Sequence, residues 1–108
     1  MITVTYHPKL YSISIDGHAR SGEPGHDLVC AAVSTLVYTL AANVQDLAAN
    51  KSVRDVSVEL ESGKAHIQCK PATRVKAVVE IVYNAVCVGF ALLAKNYPKN
   101  VRYEVLDT

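Results

Sequence analysis

Residues 17–34, GHARSGEPGHDLVCAAVS, separate two kinds of hydrophobic pattern and decide how this chain folds. Before this stretch, Ile13 and Ile15 alternate with polar residues, which is the period of a β-strand with one buried face. After Asp27, apolar residues recur at steps of three and four, which is the period of an α-helix. Three glycines and Pro24 lie between the two patterns and predict a loop. The stretch is therefore predicted to contain a strand end, a loop and the start of a long helix.

The rest of the chain continues this succession of strand and helix patterns. Two period-two segments surround a turn at His7-Pro8-Lys9, two more surround Ser62-Gly63, and another follows Pro98. The predicted segments are strands at 2–6, 11–16, 56–61, 64–70 and 101–105 and helices at 27–47 and 75–93. Their order, ββαββαβ, predicts an α+β, two-layer fold in which two long helices pack on one face of a mostly antiparallel sheet.

Length and composition indicate one domain, residues 1–108. Half of the residues are hydrophobic, and the net charge is only +1 with basic and acidic residues interleaved, so no nucleic-acid partner is expected. No secretory signal is visible, and the longest apolar segment, 28–44, is shorter than the ~20 residues of a bilayer span, so no membrane partner is expected.

Three cysteines without CxxC spacing argue against a disulfide framework or a metal site. A cytoplasmic location fits this composition.

The second predicted helix is apolar on more than one side. Besides its core stripe it carries four further apolar residues, Ala77, Ile81, Val88 and Leu92. A two-layer domain buries only one side of such a helix, so we predict a homodimer that is built partly on this face. The alternative is a tilted helix that is buried more deeply within one chain.

Cys30 lies close to the predicted start of the first helix. Asp27 is predicted to be the N-cap or a first-turn residue of this helix. If Asp27 is the cap, Cys30 is the third helical residue, where unpaired N–H groups and the helix dipole favour a thiolate and an oxyanion. Ser34 follows one turn later on the same face and could hold a substrate group. A plain structural interpretation is also open, because cysteine and serine often simply pack and aspartate often only caps. Cys69 and Cys87 are predicted to pack in the core or in an interface.

Two histidines could serve as the general base for this thiol. His18 directly follows the predicted strand, and Gly17 lets the chain turn there, so the ring could point over the sheet edge toward the helix start. His26 is nearer to Cys30 in sequence, but its place just outside the helix favours an orientation along the loop. We therefore expect His18 to be the base; the alternative for both rings is a solvated loop histidine.

The segment Gly17-His18-Ala19, together with 25–34, closely resembles the signature of the ribosomal-processing cysteine protease family. That signature joins a Gly-His-Ala segment to Gly-x-Asp-Ile-Val-Cys-Ala-x-x-Ser through a short glycine-containing loop. The resemblance implies Cys30 as the nucleophile and His18 as the base. The other positions that match the signature and would shape the site are Gly17, Gly25, Asp27 and Ser34.

The same resemblance implies a function. Members of the family are homodimeric cysteine endopeptidases that remove an N-terminal extension from a large-subunit ribosomal protein, so the expected partner is such a leader peptide, and no metal or organic cofactor is expected. Pro24 and Arg20-Ser21 depart from the residues common in the family, which leaves open a prophage-associated homologue that processes a phage protein. A non-enzymatic protein-binding module is a further alternative. A thiol-redox protein is disfavoured because no resolving cysteine lies near Cys30 in the sequence.

Overall fold

The structure, a computed structural model, describes residues 1–18 and 26–107. Within these residues the strands are β1 (Ile2–His7), β2 (Ser12–Asp16), β3 (Val53–Glu61), β4 (Lys64–Pro71) and β5 (Val101–Val105). The long helices are α1 (His26–Ala49) and α2 (Lys76–Asn96), and short 3-10 helices cover Pro8–Leu10 and Thr73–Val75. The order of strands and long helices confirms the predicted ββαββαβ arrangement.

The strands form a five-stranded sheet in the order β3-β4-β2-β1-β5. β2 pairs antiparallel with β1 and with β4, and β4 pairs antiparallel with β3. β5 pairs with β1 in parallel. The prediction of a mostly antiparallel sheet is therefore confirmed.

The two faces of the sheet differ in polarity. On one face the register aligns Val4, Ile15 and Ala65 across β1, β2 and β4, and all three side chains are buried. On the other face, the side chains of Ser14 and His66 lie 2.9 Å apart, Oγ to Nδ1. α1 packs on β3 and β4, α2 packs on β5, and the two helices contact each other. The apolar face and the helices thus form the two predicted layers.

The core lies between the apolar face of the sheet and the helices. Its largest fully buried side chains include Tyr83 and Phe90 of α2 and Leu40 of α1. Val29, in the first turn of α1, is also fully buried, so the start of the helix is anchored in the core. This anchor places the next residue, Cys30, at the edge of the core, where it is partly buried.

Both long helices have the length and composition of a membrane span, over Asp27–Ala49 and Thr73–Asn96. The prediction that the first apolar segment is too short to cross a bilayer is therefore wrong, because the helix extends beyond 28–44 at both ends. Length and composition alone are weak evidence, since the core helices of globular proteins share them. In this fold, one side of each helix packs against the sheet.

Candidate active site

A cavity of about 470 Å³ opens between α1, the end of β2 and the β3–β4 hairpin. Its volume lies within the range of ligand-binding cavities. The apolar lining consists of Ile15, Val33, Val37, Leu60 and Ala65. The remaining lining residues are His18, Cys30, Ser34, Tyr38, Glu61, Ser62, Gly63 and Lys64. The cavity therefore combines a thiol, an imidazole and a hydroxyl with an apolar wall.

Cys30 reaches the cavity from the beginning of α1. Because the helix begins at His26, Cys30 is the fifth helical residue and not the third, as the sequence predicted. Asp27 lies within the first turn and is exposed, which is one of the two places, N-cap or first turn, that the sequence allowed for it. A carboxylate in a first turn still stabilises the helix through the helix dipole. The first N–H groups of an α-helix have no partner within the helix and point out of its N-terminal end, which is a favourable place for an anion.

His18 is positioned by backbone contacts just after β2. The N–H of Gly17 donates to the carbonyl oxygen of Gly63 at 2.8 Å, and the Met1 nitrogen donates to the carbonyl oxygen of His18 at 2.7 Å. Gly17 has a φ of +100°, and a Cβ at this position would overlap with the Met1 carbonyl. Its backbone conformation and its close approach to β1 therefore both require glycine. The exposed side chain of His18 lies at the cavity, with its ring against Gly63.

Ser34 lies one helical turn after Cys30 and lines the same cavity. Its side chain is exposed, so the hydroxyl can contact a molecule that enters. Tyr38 lies one turn further and is also exposed at the cavity. Residues four apart share one face of a helix, which is why this face of α1 forms a continuous wall. The neighbouring Val33 and Val37 are buried and provide the apolar part of that wall.

The structure thus brings three of the predicted site residues, Cys30, His18 and Ser34, to one cavity. Gly17 supports the backbone of His18, and Asp27 lies in the helical turn that leads to Cys30. The catalytic and site-shaping roles of these residues stay predictions.

The predicted loop between β2 and α1 falls largely outside the described residues, and so do two of the candidate site positions. Gly25 lies outside the described residues. His26, the alternative base, is the first residue of α1, and its side chain lies outside the described part of the chain as well.

The sequence analysis missed the contribution of the β3–β4 hairpin. Ser62-Gly63 was predicted as a turn but was not linked to the site. Asp16 pairs with Lys64 in the β2–β4 ladder, and this pairing brings the turn next to His18. Strand pairing between distant segments leaves no local mark in the sequence. The feature of the sequence that could have pointed to this contribution was the glycine itself, which adopts a φ of +76°.

The remaining cysteines lie in the core. Cys69 and Cys87 are buried, and loss of solvation raises the pKa of both thiols. The Cys69 Sγ lies 3.4 Å from the hydroxyl of Tyr83. A buried thiol with a raised pKa is a poor nucleophile, so their predicted packing role is confirmed. Among residues 1–18 and 26–107, no group of three or more His, Cys, Asp and Glu side chains could hold a metal ion.

Comparison with known proteins identifies relatives of the whole chain. A family model described as "Cysteine protease Prp" matches residues 1–102. The ribosomal processing cysteine protease Prp of Staphylococcus aureus (strain Mu50 / ATCC 700699) is 27% identical over 101 residues, which cover 94% of this chain and 92% of that protein. The match therefore includes α1 and both hairpins.

Solved structures share the fold. The essential ribosomal processing protease Prp from Staphylococcus aureus, in complex with a covalently linked product peptide, has a TM-score of 0.73 and 24% identity, covering 98% of this chain and 100% of that chain. The protein SMU.848 from Streptococcus mutans has a TM-score of 0.67 and 28% identity, covering 99% of this chain and 93% of that chain. The two-layer α+β architecture is therefore common to these proteins.

Proposed function

Because the chain belongs to the Prp family of cysteine proteases, we propose that its proteolytic centre is the cavity that holds Cys30 and His18. The observation that carries this proposal is that one cavity holds an imidazole and a thiol that lies near the start of a helix. A cysteine protease needs these parts, since the thiol must lose a proton and the developing oxyanion needs N–H donors.

In the proposed reaction, His18 takes the proton from the Cys30 thiol, and the thiolate attacks the carbonyl carbon of the scissile peptide bond. Backbone N–H groups in the first turn of α1 stabilise the negative charge on the carbonyl oxygen. When the C–N bond breaks, His18 gives its proton to the leaving amine, and a thioester remains on Cys30. Water then attacks the thioester, His18 accepts a proton from it, and the carboxylic acid product leaves as the thiol is restored. These steps use only side chains and backbone groups, and the reaction requires no metal or organic cofactor.

The proposed substrate is the N-terminal extension of a large-subunit ribosomal protein. The name of the Staphylococcus aureus relative, a ribosomal processing protease, supports this substrate class. The cavity also fits a peptide, because its apolar wall of Ile15, Val33 and Val37 can bury an apolar side chain. The reaction would take place in the cytoplasm, where ribosomal proteins are made and free thiols remain reduced.

We also propose that the protein is a homodimer that uses the outer face of α2. Ile81 is 67% exposed, Val88 59% and Leu92 53%, and Ala77 is exposed as well. The alternative of a tilted helix that buries this face within one chain is wrong, because the four side chains are exposed. A continuous apolar face of this kind is typical of a protein interface.

The proposal is tested with the precursor of a large-subunit ribosomal protein from the same source. We expect the wild type to release a shortened product that mass spectrometry detects. Cys30→Ala and Cys30→Ser should give no product and remain folded, because Cys30 lies at the edge of the core and both replacements are small. Cleavage by Cys30→Ala would exclude this thiol as the nucleophile. An uncut precursor that binds stably to the wild type would favour the protein-binding alternative.

A further inference from the structure

We propose that Gly63 is a positioning residue for His18, because only a hydrogen atom in place of a side chain leaves room for the imidazole at the cavity. This inference rests on the proposed function, since it takes His18 as the base. Gly63 lies at the turn of the β3–β4 hairpin, outside the segment that resembles the family signature.

Backbone contacts hold the tip of the β3–β4 hairpin next to the segment that contains His18. Asp16 of β2 pairs with Lys64 of β4, and the N–H of Gly17 donates to the carbonyl oxygen of Gly63 at 2.8 Å. These contacts fix Gly63 relative to the residue that precedes His18. The position of the His18 ring therefore depends on rotation about its own side-chain bonds, because the backbone of Gly17 and Gly63 is held in place.

The ring of His18 lies directly on the α-carbon of Gly63. A Cβ added there would lie 2.6 Å from Cε1 and 3.0 Å from Cδ2 of the ring, and closer still to Nε2. Carbon atoms in contact are normally about 3.5–4.0 Å apart, so the ring and a Cβ cannot occupy these places together. Because the ring is at the end of a side chain that can rotate, it would move and leave the backbone of the turn in place.

Backbone conformation alone would not require glycine at this position. Gly63 has a φ of +76°, and asparagine also adopts positive φ values more readily than other residues. An asparagine would satisfy the turn and still bring a Cβ against the ring. The imidazole therefore provides a separate reason for glycine, and this difference makes the proposal testable.

The test compares Gly63→Ala, Gly63→Asn, His18→Ala and the double variant with the wild type. Peptide cleavage is measured as kcat and KM, and the rate of Cys30 alkylation by iodoacetamide near neutral pH is followed by mass spectrometry. We expect both Gly63 variants to lower kcat by roughly 10-fold to 100-fold with little change in KM, because a small displacement of a catalytic group has an effect of this size. Both should also slow the alkylation of Cys30. In the His18→Ala background, Gly63→Ala should have no further effect on either rate.

The control is Gly89→Ala in α2, where an added Cβ would meet the side chain of Leu36 and not His18. It should leave the alkylation rate of Cys30 unchanged. Thermal unfolding of each variant shows whether the fold is retained.

A Gly63→Asn variant with wild-type kcat would overturn the inference, because glycine would then be needed at this position only to avoid backbone strain. A further loss of rate on adding Gly63→Ala to His18→Ala would also overturn it, because Gly63 would then act without His18. If His18→Ala itself cleaves at the wild-type rate, the proposed function fails instead, since His18 would not be the base.

Discussion

His18 is held at the cavity from two directions, by the nitrogen of Met1 on its carbonyl and by the turn at Gly63 under its ring. The backbone of the base is thus held in place before the substrate binds, and the turn at Gly63 limits where its ring can lie. The position of the ring should therefore affect the rate of proton transfer.

We expect His18→Ala to lower kcat by roughly 10²-fold or more, which is the usual contribution of a general acid–base catalyst. His26→Ala should have a much smaller effect, since His26 is the first residue of α1 and is not required to move a proton in the proposed reaction. Steady-state cleavage of a leader peptide measures both. A larger loss for His26→Ala than for His18→Ala would show that His26 is the base.

At the scale of elements, a group of buried and partly buried tyrosines joins α2 to the sheet. Tyr6 of β1 and Tyr83 of α2 stack with ring centroids 6.0 Å apart and an interplanar angle of 21°. Loss of solvation raises the pKa of Tyr6 from 10.0 to about 12, and burial also raises the pKa of Tyr83 and of Tyr103 in β5. The folded chain therefore keeps these phenol protons at a pH where the unfolded chain releases them.

We expect the free energy of unfolding to decrease as the pH rises above about 10. Below the ordinary tyrosine pKa both states are protonated, and the stabilisation is fully present. It is lost as the pH rises toward the folded pKa of Tyr6, about 12, because ionisation first favours the unfolded chain. The difference between the pKa of Tyr6 in the folded chain and its ordinary value corresponds to about 2–3 kcal/mol of the free energy of unfolding.

Urea unfolding between about pH 8 and about pH 11 measures this decrease. Tyr6→Phe should make the decrease smaller, because the phenol that ionises has been removed. Tyr38→Phe is the matched control, since Tyr38 is exposed on α1. Equal pH profiles for the wild type and Tyr6→Phe would contradict the expectation.

The elements themselves could be predicted because each has a clear hydrophobic period. The least regular strand is β3, which begins at Val53, earlier than the predicted 56–61. Its register shifts between Arg54 and Ser57, where Asp55 has a φ of 50°. A bulge of this kind sets two residues against one and interrupts the alternation that identifies a strand.

The candidate site was predictable only where its residues are close in sequence. Cys30, Ser34 and the residues around His18 lie in one short stretch whose spacing points to thiol chemistry. The wall formed by Leu60 and Gly63 depends on the pairing of β4 with β2, which no local pattern encodes. The exact start of α1 was also beyond the sequence, because more than one residue near Asp27 can begin a helix.

At the scale of the whole molecule, the outer face of α2 should determine the oligomeric state. We expect Ile81→Glu or Leu92→Glu to shift the protein to monomers or aggregates, because either places an unpaired charge in the proposed interface at a cost of roughly 3–5 kcal/mol. Analytical ultracentrifugation measures the change.

Thr39→Glu is the control for this experiment, since Thr39 is exposed on α1. It should leave the assembly unchanged and alter stability by about 0.5 kcal/mol or less. A wild type that sediments as a monomer would refute the dimer, and a dimer that persists in both α2 variants would place the interface elsewhere.

The parallel pairing of β5 with β1 also affects how the chain folds. Ile2 lies opposite Val101, so this ladder joins segments separated by most of the chain and closes the largest loop of the sheet. Until β5 docks, β1 is an unprotected edge whose free backbone groups can recruit a strand from another chain. Refolding at high protein concentration should therefore favour aggregates that are joined through β1. This edge lies at the opposite side of the sheet from β3 and from the hairpin that shapes the cavity.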